Sequence, residues 1–185
     1  MDGSEPGLDD DALMAAFAMN DQAAFSKLYS RHRSRLYGYL YRHVHDRPLC
    51  DELFQDVWQK VVRARSDYQA KGQFVAWLMR IAQHRLEDHW RSVKHRPTAP
   101  ADAQDRLDLL STTTTPESEH SDFMQRRALR MALQSLPAEQ RTVLLLRLEQ
   151  ELSLEAIADI TGTSRETVKS RLRYGMDKLR QVLVP

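Results

Sequence analysis

Apolar residues recur at helical spacing along most of this chain, and nowhere do they alternate with polar ones over a strand's length. The periodicity runs from about Asp11 to Val93, stops, and resumes from Phe123 to Val184. Between these stretches, residues 94–122 carry Pro97, Pro100, Pro116, the run Thr112–Thr115 and scattered acids. That is the composition of a flexible linker, with room for one helical turn around Leu107–Leu110. Residues 1–11 read as a disordered acidic tail. The pattern therefore predicts an all-α chain of 185 residues, with two small helical domains (12–93 and 123–185) joined by a flexible acidic linker.

In the second domain, Leu129, Leu133 and Leu136 mark the core face of one helix. Ser135-Leu-Pro137 closes it and opens a second, with Pro137 in the first turn, where its missing N–H costs nothing. Val143, Leu144, Leu146 and Leu148 form that second helix's inner side. Ser153 is a cap for a third helix, and Thr163-Ser-Arg-Glu166 is a capping box for a fourth that starts near Ser164. Ala158 is small enough to let two helices touch, and Gly162 can take the left-handed backbone a turn needs. Val168 and Leu172 then point back at the preceding helix. This is the spacing of a helix-turn-helix, whose second helix enters the DNA major groove. Arg165, Lys169, Ser170, Arg173 and Tyr174 face away from Val168 and Leu172, and such side chains pair with phosphates or base edges. A merely solvated basic helix is the alternative, but turn glycine, cap and cations coincide here. Repressors, activators and initiation factors all use this motif, so it names no function by itself.

In the first domain, Asp46 and Pro48 open a helix whose apolar arc is Cys50, Leu53, Phe54, Val57 and Val61. Asp51, Glu52, Gln55, Asp56 and Gln59 form the opposite arc, with Trp58 at its border. That surface is either a docking site for a basic partner or a solvated polar face, and spacing alone does not choose. A loop follows, Asp67-Tyr-Gln-Ala-Lys-Gly-Gln-Phe74, with two aromatics, a lysine and a flexible glycine. The next helix turns Leu78, Ile81, Ala82 and Leu86 to the core, while Arg80, His84 and Arg91 share a separate stripe. Cations beside an aromatic loop suit single-stranded nucleic acid, in which phosphates track the charge and bases stack on rings. Tyr68 and Phe74 fit the core equally, and for Phe74 the core is favoured.

The net charge of +1 hides strong segregation. Residues 1–21 hold six acids and no Lys or Arg, residues 97–123 six acids and one Arg, and residues 164–180 six cations and two acids. One surface meets phosphate and another meets a basic or polar protein. No run of about 18 apolar residues exists, so no membrane insertion is expected. The N-terminus lacks the basic-then-apolar order of a signal peptide. Cys50, the single cysteine, excludes an intrachain disulfide and a multi-cysteine zinc site, and fits a reducing cytoplasm. None of the seven histidines pairs with a Ser or Cys in a nucleophile pattern, and no Gly-rich phosphate loop is present. His43-Val-His45 with Cys50 is the nearest approach to a metal set, at an i,i+2 spacing that a helix serves poorly. No enzyme activity and no cofactor are expected.

Four segments, in this order and spacing, resemble an extracytoplasmic-function (ECF) sigma factor of the sigma-70 family. They are Asp51-Glu-Leu-Phe-Gln-Asp-Val57, Phe74-Val-Ala-Trp-Leu-Met-Arg-Ile-Ala82, Leu136-Pro-Ala-Glu-Gln-Arg141 and Thr167-Val-Lys-Ser-Arg-Leu172. The resemblance covers about residues 20–93 and 124–183. It implies a cytoplasmic transcription initiation factor that binds core RNA polymerase, at the β′ coiled coil and at β, and directs it to promoter DNA. By this likeness, Asp51, Glu52, Gln55, Asp56, Trp58 and Gln59 dock on polymerase. Tyr68, Gln69, Lys71, Gln73, Arg80, His84 and Arg91 read and open the −10 element, taking a non-template base into the loop. Ser164, Arg165, Thr167, Lys169, Ser170, Arg173 and Tyr174 read the −35 element. Family members are often held by an anti-sigma factor, and one is expected here. The chain departs from the family in two places: His84 stands where Asn is common, and Tyr174-Gly175 where Arg-Ala is common. A glycine in mid-helix costs about 1 kcal/mol against alanine. The rival reading is a free-standing helix-turn-helix regulator whose first domain senses or dimerises, binding duplex alone as a dimer with two half-sites.

Overall fold

A computed structural model describes residues 9–69, 71–94 and 127–183, and all regular structure among them is helical. The first group comprises α1 (Asp10–Ala18), α2 (Gln22–Val44), α3 (Arg47–Arg63) and α4 (Phe74–Lys94). The second comprises α5 (residues 127–134), α6 (Ala138–Leu148), α7 (Leu154–Thr161) and α8 (Arg165–Leu183). The turn expected at Leu107–Leu110 lies outside the described residues, as do residues 1–8 of the expected tail.

The last three residues of that tail are helical in structure or in role. Asp9 caps α1 by accepting from Ala12 N at 2.7 Å, and Asp10 and Asp11 occupy the first turn. Carboxylates there meet unpaired backbone N–H groups and the positive end of the helix dipole, so an acidic run starts a helix rather than staying unfolded. The same chemistry sets the next boundaries. Asp21 accepts from Ala23 N and Ala24 N at the head of α2. His45, at a left-handed φ of 52°, ends that helix. Asp46 then accepts from Leu49 N at 2.7 Å to open α3. Leu36, Tyr39, Leu40, Leu53, Val57, Leu78, Met79 and Leu86 fill the core between α2, α3 and α4. Tyr39 is wholly buried, and its Oη donates to Gln83 Oε1 at 2.7 Å, which satisfies both polar groups.

In the second group Leu133, Leu136, Val143, Leu144, Leu146, Ile157, Ile160, Val168 and Leu179 are buried. Leu129 and Leu148, expected in this core, are 41% and 57% exposed. Ala132 and Leu145, each three positions away, are buried instead. Arg141 donates to the carbonyls of Leu133, Gln134 and Leu136, closing the C-terminal end of α5, where the last carbonyls of a helix run out of i+4 partners. Gly175 explains itself here. A Cβ on it would lie 2.7 Å from Leu144 Cδ1, so α8 approaches α6 more closely than alanine permits.

The two groups pack on one another. At the end of α2, the His43 ring donates from Nδ1 to Tyr39 O at 2.8 Å and accepts at Nε2 from Thr142 Oγ1 at 3.1 Å. Arg42 pairs with Glu149 at 3.0 Å, and Arg141 reaches Arg42 O at 3.5 Å. Burial pushes the Glu149 carboxyl above its ordinary value, against the pull of Arg42. Further along, α7 lies against α4, with Arg80 4.0 Å from Asp159.

Candidate functional site

The turn between α7 and α8 has the geometry that its glycine suggests. Ser153 caps α7 through Ala156 N at 3.1 Å, and Gly162 closes it at φ 61° in the left-handed region. Val168 is fully buried and Leu172 half-buried against the preceding helices. The cap of α8 is shifted by one residue from the expected box. Ser164 Oγ, not Thr163, accepts from Thr167 N at 3.1 Å, while Thr163 Oγ1 lies 3.1 Å from Thr161 Oγ1. Either hydroxyl suits an N-cap, and Ser164 serves because Thr163 Oγ1 is turned back toward Thr161.

Ser164, Arg165, Lys169, Ser170, Arg173 and Tyr174 are exposed on one outward side of this motif, with Thr167 half-buried beside them. Internal bonds sort the cations of α8. Arg171 pairs with Glu139, Lys178 donates to Ser135 O at 3.0 Å, and Arg180 pairs with Asp177 at 3.4 Å. Arg165 is held by Glu155 at 2.6 Å. The Glu155 carboxyl lies below its ordinary value, chiefly through its own backbone N–H and next through Arg165. Lys169 has no acidic partner among the described residues, and the Arg173 guanidinium stacks 5.0 Å from the Tyr174 ring. Lys169 and Arg173 are thus the cations best placed to meet nucleic acid.

On α3, Asp51, Glu52, Gln55 and Gln59 are exposed, and Asp56 is half-buried in an ion pair with Arg85 of α4. Asp51 accepts from Tyr37 Oη at 2.8 Å. Trp58 departs from the expectation of an exposed border residue, being only 5% exposed. Phe25 and Tyr29 of α2 enclose it, with ring centroids 5.7 and 5.0 Å away. Its Nε1–H has no partner among the described residues. Next to the acidic side chains lies a cleft of about 410 Å3 lined by Tyr29, Phe54, Gln55, Trp58, Gln59, Val62 and Arg63. The surface thus combines carboxylates with an aromatic wall, which suits a basic protein partner with apolar anchors.

In the loop between α3 and α4, Gln69, Lys71 and Gln73 are exposed and Tyr68 is half-buried. Phe74 is 2% exposed, a core residue. The Tyr68 ring lies 4.9 Å from Trp77, a partner that helical spacing did not single out. Burial and the neighbouring Asp11 carboxylate push the Tyr68 hydroxyl well above its ordinary value, so it stays a donor. Arg80, His84 and Arg91 are all exposed along α4. Arg91 pairs with Asp88 at 3.1 Å, and Arg80 faces Asp159 of α7. Among the described residues no group of three or more His, Cys, Asp and Glu side chains is placed to hold a metal ion, and no helix is long and apolar enough to cross a membrane.

A helical protein of two packed groups, one ending in a helix-turn-helix and the other carrying an acidic face and a basic stripe, is the class so defined. Residues 28–96 match the family described as Sigma-70 region 2, and residues 132–181 match Sigma-70, region 4. The chain is 32% identical to RNA polymerase sigma factor CarQ of Myxococcus xanthus, over 92% of this chain and 95% of that one. It is 31% identical to ECF RNA polymerase sigma factor SigK of Mycolicibacterium vanbaalenii, over 94% and 88% of the two chains. In fold it is similar to CnrH, solved with the cytosolic domain of CnrY, with a TM-score of 0.67, 23% identity and coverage of 95% and 97%. A similar likeness holds to sigma factor RpoE of Bartonella quintana, solved with the anti-sigma factor NepR, with a TM-score of 0.65, 20% identity and coverage of 86% and 96%. The chain belongs to the ECF sigma factors of the sigma-70 family, alternative sigma factors that direct RNA polymerase to particular promoters.

Proposed function

We propose that the two domains, near 12–93 and 123–185, divide promoter recognition between them. Asp51, Glu52, Gln55, Asp56 and Gln59, with the Trp58 cleft beside them, dock on core RNA polymerase. Tyr68, Gln69, Lys71, Gln73, Arg80, His84 and Arg91 act on the −10 element. Ser164, Arg165, Thr167, Lys169, Ser170, Arg173 and Tyr174 act on the −35 element. The observation that carries this reading is the outward row of Lys169 and Arg173 on a capped recognition helix, joined in one chain to a separate acidic face. A basic helix without such a face would serve a regulator working alone. The protein acts by binding, with no covalent step of its own, and works in the cytoplasm with polymerase. A protein inhibitor belongs to the reading, since RpoE, similar in fold, was solved with an anti-sigma factor.

Charge reversal on the acidic face tests it. Asp56 is tied to Arg85, so its replacement would also break an internal pair, whereas Glu52 and Gln55 are exposed. The double variant Glu52→Arg, Gln55→Arg is expected to lose co-purification with core polymerase while keeping the wild-type helical content and melting temperature. Undiminished co-purification would remove α3 from the docking role.

A further inference from the structure

A single carboxylate spans the loop between α3 and α4. Tyr68 Oη donates to Asp11 Oδ1 at 2.5 Å, and the Gly72 N–H donates to Asp11 Oδ2. Both oxygens are therefore used, one on a side chain near the loop's start and one on the backbone near its end. Gly72 needs this support. It sits at φ +66°, and nothing lies within 4 Å of where a Cβ would be, so glycine is there for its backbone and not for want of space. Beyond Tyr68, the left-handed glycine and the exposed Gln69, Lys71 and Gln73 bring little packing to hold the loop in one shape.

Asp11 itself is well anchored. The adjoining Asp10 pairs with Arg31 at 3.0 Å and with His32 Nε2 at 2.7 Å on α2. His32 in turn packs its ring 5.1 Å from Phe74, the first residue of α4. Asp9 caps the same turn of helix. The first turn of α1 is thus fixed to α2 on one side and grips the loop on the other. Tyr68, pressed against Trp77, cannot leave this arrangement without giving up both ring and hydroxyl contacts.

We propose that Asp11 is a positioning residue for −10 recognition: by holding Tyr68 and Gly72 at once, it presets the loop that receives the displaced base. The inference rests on the sigma-factor reading of that loop. Preorganisation of this kind strengthens binding by removing the ordering cost that a slack loop would bear at the moment of capture. Asp11 touches no DNA in this account, and its effect passes through Tyr68 and the Gly72 backbone.

The test uses holoenzyme made from the full chain and core polymerase, and single-stranded non-template DNA selected from a randomised pool by the wild-type holoenzyme. Asp11→Ala is expected to weaken binding of that strand about tenfold and to flatten the preference among bases at the captured position, with −35 duplex binding and polymerase binding unchanged. Asp11→Asn, which keeps one acceptor oxygen, restores part of the loss. Tyr68→Phe causes a loss of its own, and adding Asp11→Ala to it costs less than the two single losses combined. A purely structural role for Asp11 would lower the melting temperature and all DNA contacts together. Asp11→Ala holoenzyme with wild-type affinity and base preference overturns the inference alone. A wild-type holoenzyme that selects no strand from the pool overturns the loop's −10 role, and the inference with it.

Discussion

Acid should open the junction between the two domains, and His43 sets the size of the effect. Its ring is 8% exposed and neutral, with Nδ1–H on Tyr39 O and Nε2 accepting from Thr142 of α6. Burial, with Arg141, His45 and Arg42 adding repulsion, pushes its pKa from 6.5 down to about 4, against the favourable carbonyl of Tyr39. When the domains separate, the ring meets water and returns toward its ordinary value. The folded pKa is the lower one, so the contribution is complete above about 6.5 and is lost as pH falls toward about 4. At about 1.4 kcal/mol per unit, the full span amounts to roughly 3.5 kcal/mol, or a fall of about 300-fold in the closed-to-open ratio. Small-angle scattering of wild type and His43→Gln between pH 7 and pH 4 reads this ratio. Glu149, raised by burial, is present in both proteins, so its contribution cancels in the comparison. The wild type is expected to expand more steeply with acid than the variant. Superimposable profiles, or an imidazole signal for His43 titrating near its ordinary value in a compact protein, would refute the reasoning.

Three further expectations rest on single positions. Gly175→Ala gains about 1 kcal/mol of helix propensity but drives Cβ into the buried Leu144, at an overpacking cost of about 1–3 kcal/mol, so denaturant unfolding should show a protein no more stable than wild type. A clear gain in stability would mean that α8 does not approach α6 so closely. Cys50 is wholly buried and its thiol is pushed up to about 12, chiefly by burial, so a thiol-alkylating reagent at pH 8 should label it only after unfolding. Lys169→Ala and Arg173→Ala should each cost about 1–3 kcal/mol on a cognate −35 duplex bound by holoenzyme, and less on unrelated duplex. An equal loss on every sequence would assign those side chains to phosphates alone.

Local chemistry was legible in the chain, and contacts across long separations were not. Asp46, Ser153 and Gly162 act on residues two to four positions away, so their caps and turn could be read directly from spacing. The outward set on α8 followed from the inward one, because one helix has only one period. Thr163 against Ser164 was an ambiguity of one residue between two equivalent hydroxyls. Trp58 was misplaced at an exposed border because its burial comes from Phe25 and Tyr29 on another helix. Asp11 looked like part of an acidic tail, since the groups it binds lie 57 and 61 residues further on. His43 meets Thr142 across 99 residues, and no periodicity reports such a pairing. Gly175 read as a cost to its helix until Leu144 appeared opposite it.

Transcription in vitro tests the central claim most directly. Core RNA polymerase without any sigma factor would be supplied with fragments of the organism's own DNA, with and without this protein, and transcript starts would be mapped. The account predicts a small set of defined starts that depend on the protein, share paired sequence elements near −10 and −35, and disappear with Glu52→Arg, Gln55→Arg. An unchanged set of transcripts, together with tight dimeric binding of the protein to duplex DNA in the absence of polymerase, would contradict it.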